Sequence, residues 1–70
     1  MKTVAAMERA RRIFERSGLS LEELGVRMGY TGDAARKSAW QFLKKTNNPR
    51  LLMLEKFAEA MNVSLVDLVK

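Results

Sequence analysis

A glycine set inside an otherwise well-specified helix constrains this chain more than any other feature. The run Leu19-Ser20-Leu21-Glu22-Glu23-Leu24 is a helix start with two locks. Ser20 at the cap and Glu23 three residues on form a capping box, each taking the other's unpaired backbone N–H. Leu19 before the cap and Leu24 within the helix have the spacing of a hydrophobic staple. Leu21, Leu24, Gly25 and Met28 then fall on one stripe. Glycine in a helix interior costs about 1 kcal/mol against alanine, and a helix tolerates it most readily where another backbone comes close. Gly29 supplies the positive φ that ends the helix. A new helix follows almost at once, from about Thr31 or Asp33, so Leu19–Lys45 reads as two helices joined by a tight turn.

The second of these helices is sharply two-sided. At about 100° per residue, Ala35, Ser38, Ala39 and Phe42 fall together, with Leu43 at the edge. Arg36, Lys37, Trp40, Gln41 and Lys44 fall on the opposite side. Small residues at Ala35 and Ala39 let this helix sit close to its neighbours. A tryptophan on the polar, basic side is the one placement in the sequence that core packing does not explain.

The remaining segments supply a core. Thr3–Ser17 has helical period, with Met7, Ala10 and Phe14 on one face, Ala6 and Ile13 beside it, and Arg9, Arg12 and Arg16 on the far side. Thr46-Asn47-Asn48-Pro49 reads as a loop in which Asn48 caps a fourth helix and Pro49 is its first residue. That helix extends to about Met61, with Leu51, Leu54, Phe57, Ala58 and Met61 as its stripe, and Asn62 takes the left-handed stop. Ser64-Leu65-Val66-Asp67 repeats the capping pattern, with Val63 and Leu68 as a second staple. A short fifth helix then returns Leu65, Leu68 and Val69 to the core. No strand pattern, low-complexity segment or repeat is present, and residues 1–70 read as one all-α domain, a compact bundle of about five short helices.

Composition narrows the chemistry. Seventy residues make one small domain, which must use every apolar stripe it has. Cysteine and histidine are both absent. No disulfide or thiolate metal site is available, and the commonest general base and metal ligand is missing. Ser20 and Ser64 are caps rather than nucleophiles, since nothing activates them; no enzyme, cofactor or metal is expected. Met1–Met7 lacks the apolar run of a signal peptide, and no segment reaches the roughly 20 apolar residues of a membrane span. The expected compartment is the cytoplasm or nucleoid.

Charge is unevenly spread. The net charge is +5, and residues 31–50 carry Arg36, Lys37, Lys44, Lys45 and Arg50 against Asp33 alone, a local net of +4. Residues 51–70 are slightly acidic. A positive field concentrated on the element after the turn attracts polyanions.

The layout from Arg12 to Val69 resembles the Cro and phage-repressor (XRE-type) helix-turn-helix family. The resemblance rests on Gly18-Leu19-Ser20-Leu21-Glu22-Glu23-Leu24-Gly25, on Met28-Gly29-Tyr30-Thr31, and on Asn48-Pro49, Leu54, Phe57-Ala58, Ala60-Met61, Val63-Ser64-Leu65 and Leu68. It implies a lambda-repressor-like five-helix fold, a recognition helix in the major groove, transcriptional regulation such as repression, and a homodimer on a palindromic operator in double-stranded DNA. The segment between Gly29 and Pro49 departs from the family by about one extra helical turn. Aligned from the turn, Asp33, Ala34 and Lys37 take the reading positions. Aligned back from Pro49, Arg36, Lys37, Trp40 and Gln41 do, and the helical wheel favours this set.

Arg36 and Lys37 can donate to guanine O6 and N7, and Gln41 can bridge adenine N6 and N7. Trp40 can pack on a thymine methyl or along a sugar; folding onto the fourth helix and filling a dimer contact are its other uses. Thr31, Lys44, Lys45, Asn47 and Arg50 are expected at the phosphate backbone. The N-termini of the second and fourth helices also offer N–H groups to phosphate, with Arg11 and Arg12 adding charge from the first helix. The competing reading is a protein-interaction module on the same fold, such as the antitoxin of a toxin–antitoxin pair, with Trp40 and Val66 at the protein contact. A non-specific nucleoid or single-strand binder ranks last, because one exposed aromatic is too few for a stacking platform.

Overall fold

The computed structural model describes residues 3–46 and 48–69. Among them are five α-helices and no strand: α1 (Thr3–Ser17), α2 (Leu21–Arg27), α3 (Asp33–Trp40), α4 (Leu51–Ala60) and α5 (Val66–Val69). α3 runs without a break into one turn of π-helix, Gln41–Lys45. The Cα radius of gyration is 10.8 Å, against about 11 Å expected for a folded chain of this length.

The predicted faces are the buried ones. α1 turns Ala6, Met7 and Ala10 inward, with Ile13 and Phe14 packed against them. α2 contributes Leu24 and Met28, and α4 contributes Leu54, Phe57 and Ala58. The Phe42 and Phe57 rings meet with centroids 5.5 Å apart and planes tilted by 34°. Leu68 of α5 is fully buried and closes the core over α1. Among the described residues no polar or charged side chain is buried in this centre, so packing holds it together.

Two helix ends follow the chemistry of their residues closely. At the start of α2, Ser20 Oγ accepts from the Glu23 N–H at 3.1 Å and Glu23 Oε1 accepts from the Ser20 N–H at 3.2 Å. At the end of α4, Asn62 has φ +56°, and the N–H groups of Asn62 and Val63 donate back to Glu59 and Ala58. That pair of bonds satisfies two carbonyls the helix leaves open.

Four expectations are corrected. α4 begins at Leu51, with Arg50 extended at the cap position (φ −75°, ψ 150°), not at Pro49 with Asn48 capping. The Arg50 carbonyl accepts the first helical bonds, from Met53 at 3.0 Å and Leu54 at 3.2 Å. Pro49 is buried while Asn48 points to solvent; packing the ring inward outweighs a cap worth about 1 kcal/mol. Leu51 is 56% exposed and lies outside the core cluster, so the inward stripe of α4 starts at Leu54. Arg9 does not stand on the far side of α1: it is half-buried, and its guanidinium donates to the Leu68 carbonyl at 3.0 Å. The Ser64 box is rearranged, with Asp67 Oδ2 accepting from the Ser64 N–H while Ser64 Oγ accepts from Val66 rather than Asp67. In a helix of one turn the hydroxyl reaches the nearer amide.

Candidate nucleic-acid interface

The position of α3 is set by Gly25. A Cβ built there would lie 1.9 Å from the Ala35 carbonyl oxygen and 2.4 Å from its carbon. Such distances are inside any van der Waals contact, so α2 and α3 touch backbone to backbone and only glycine fits. The chain reverses between them at Gly29, where φ is +102°. The Gly29 and Tyr30 N–H groups donate to Val26 and Gly25, each at 3.0 Å. This closed turn, together with fully buried Ala35 and Ala39, leaves α3 one orientation against α2. Phe42 and Leu43 then anchor its far end in the core.

With the inner face fixed, the outer face is fixed too. Asp33, Arg36, Lys37 and Trp40 have the i, i+3, i+4, i+7 spacing of one helical stripe, and together they line a shallow, open depression. Trp40 is 41% exposed and lies outside the core cluster. Lys45 Nζ sits over its ring, 5.5 Å from the centroid, within the range of a cation–π contact. The depression takes Asp33 from one of the two alignments and Arg36 and Trp40 from the other, with Lys37 common to both. Ala34 and Gln41, the remaining members of the two alignments, do not line it.

The remaining expected contacts divide. Gln41 is exposed but does not line the depression; its carbonyl accepts from both the N–H and the hydroxyl of Thr46 at the end of the π turn. Thr31 is exposed beside the N-terminus of α3, and Lys44 is exposed at the opposite end. Arg50 is exposed but borders a different depression, with Phe42, Pro49 and Met53. Asn47 lies outside the described residues. The N-terminus of α2 is a poor phosphate seat, because Ser20 already takes the Glu23 N–H and Glu22 and Glu23 place two carboxylates there.

Three arginines have work that spacing alone does not reveal. Arg11 Nε donates to the Leu43 carbonyl, Arg9 to Leu68, and Arg27 to Ala60 at 3.3 Å. Each ties a helix to the end of a distant one, satisfying carbonyls that helix termini leave unpaired. Arg11 is therefore not a side chain extended toward a ligand, whereas its neighbour Arg12 is exposed. The sequence carries no local signal for these ties, because each partner lies more than thirty residues away.

Among the described residues no helix is long and apolar enough to cross a membrane, and no group of three or more acidic side chains is placed to hold a metal ion. Comparison with protein-family models, with curated protein sequences and with solved structures returned no match to this chain.

Proposed function

We propose that the protein is a sequence-specific double-stranded DNA-binding protein with a lambda-repressor-like helix-turn-helix fold, acting as a transcriptional regulator. One observation carries this reading: Arg36, Lys37 and Trp40 share the exposed stripe of a helix whose opposite face is clamped to α2 through Gly25. A rigid helix with cations and an aromatic on its outer side suits the major groove, which admits an α-helix and displays base edges. Lys44 and Lys45 at its far end add charge for the phosphates, which supply most of the affinity. Arg36 and Lys37 act on base edges, and Thr31 reaches the backbone beside them. Two copies on a palindromic site would place their recognition helices about 34 Å apart.

Duplex binding measured by mobility shift at rising salt tests the reading. Affinity is expected to fall steeply with salt, as counterion release requires. A flat response would remove the phosphate-driven part.

The exposed apolar residues Val26, Leu51, Leu52 and Val66 favour a second reading, a protein-interaction module such as an antitoxin. Light scattering separates the two. A stable hetero-complex formed without DNA, by a chain that shifts no duplex, would establish the module.

A further inference from the structure

Residues three and four apart stack on one another along an α-helix, but i→i+5 bonding brings residues five apart together. Trp40 and Lys45 are five apart, and the π turn at Gln41–Lys45 sets the lysine over the indole. Had the α-helix continued, Lys45 would point about 140° around the axis from Trp40. Thr46 closes the turn, its N–H and its hydroxyl each donating to the Gln41 carbonyl at 3.1 Å. The departure from α-geometry thus has a local effect on one side chain, the exposed indole.

Resting on the DNA reading above, we propose that Trp40 is the specificity residue of this face and reads the C5-methyl group of a thymine, with Lys45 as the residue that positions it. A duplex shows proteins base edges, not base faces, so the indole has no base to stack on. The apolar projection on the major-groove edges is the thymine methyl, and a contact to sugar would carry no sequence information. Lys45 occupies one side of the ring, which leaves the other side and the ring edge to meet that methyl. Arg36 and Lys37, three and four residues earlier on the same stripe, supply donors for an adjoining guanine. The stripe therefore calls for a guanine close to that thymine.

The test uses the full chain and a duplex selected by it from a random pool, with each thymine replaced in turn by uracil. At one thymine per bound copy, uracil is expected to weaken binding about fourfold, the worth of one methyl group leaving water. Trp40→Ala should bind both forms equally. Lys45→Met should reduce the discrimination and shift the fluorescence of the sole tryptophan while helix content stays the same, and Lys45→Arg should restore both. If uracil is tolerated everywhere, or if Trp40→Ala still discriminates, the thymine assignment is overturned while DNA binding stands. If Lys45→Met changes neither fluorescence nor discrimination, the positioning role is overturned. A chain that binds no duplex in a salt-dependent way overturns the DNA reading itself.

Discussion

The two faces of α3 differ in everything except the helix they share. Inward lie Ala35 and Ala39, both wholly buried; outward lie Arg36, Lys37 and Trp40, all exposed. Two alanines bury little apolar area, so the inner face contributes to folding by closeness rather than by hydrophobic yield. The large side chains that stabilise the domain sit on other helices, as Phe57, Leu54 and Leu68 do, or on the π turn beyond α3, as Phe42 and Leu43 do. The outer face contributes almost nothing to the interior. Its cations and indole are therefore not required by the interior, and the contrast divides α3 into a face that sets shape and a face that is open to solvent.

The strongest way to break this contrast is to add one methyl group to the seam. Gly25→Ala places a Cβ against the Ala35 carbonyl, 1.9 Å from its oxygen, and backbone cannot rotate away as a side chain can. The loss should reach about 3 kcal/mol or more, the upper range for overpacking, and lower the melting temperature by about 12 °C or more. Thermal unfolding followed by circular dichroism measures it. Adding Ala35→Gly should give no rescue, because the obstruction is the carbonyl and not the methyl group of Ala35. Recovery in the double variant would mean that the helices touch through side chains, and that the orientation of α3 is less constrained than the seam implies.

A smaller effect sharpens the same division among the cations. Arg11 and Arg12 are adjacent, yet only the first donates to a carbonyl at the end of the α3 extension. Arg11→Met keeps the aliphatic stem and removes the donor, at an expected cost of about 1–2 kcal/mol for a part-buried charged hydrogen bond. Arg12→Met should fall within about 0.5 kcal/mol of the parent. Urea unfolding of the pair decides it, and equal losses would mean that the Leu43 carbonyl is satisfied without Arg11.

What could be read in the sequence was local. Gly25 inside a capped helix announces a close backbone approach, because a helix that needs no neighbour there would carry alanine. The stripe Arg36, Lys37 and Trp40 follows from period alone. What could not be read depends on the third dimension. Arg9, Arg11 and Arg27 look like solvated charges until the distant carbonyls they reach are in place. Leu51 fits the α4 stripe by spacing, but the core stops at Leu54. Pro49 and Asn48 have the types of a helix start, and burial of the ring moves that start to Leu51. The helical period through Lys45 is visible, whereas the π turn at Gln41–Lys45 is not, since α- and π-turns are built from the same residues. That turn brings Lys45 to Trp40.

The smallest change in stability should come from Lys37→Ala, and the smallness is what makes it informative. Lys37 is exposed and lines the outer depression, so unfolding should shift by no more than about 0.5 kcal/mol. Binding to duplex should nevertheless weaken, and the way it weakens identifies the contact. If Lys37 meets a phosphate, the slope of log affinity against log salt falls by about 1 and all sequences lose alike. If it donates to guanine O6 and N7, the loss is about 1–3 kcal/mol at one base pair, while competitor sequences are bound nearly as before. On the proposed docking the second result is expected, because Lys37 lies mid-stripe between Asp33 and Trp40 and would face the floor of the groove rather than its walls. A loss shared by all sequences would move the base-reading positions toward Trp40 and the π turn.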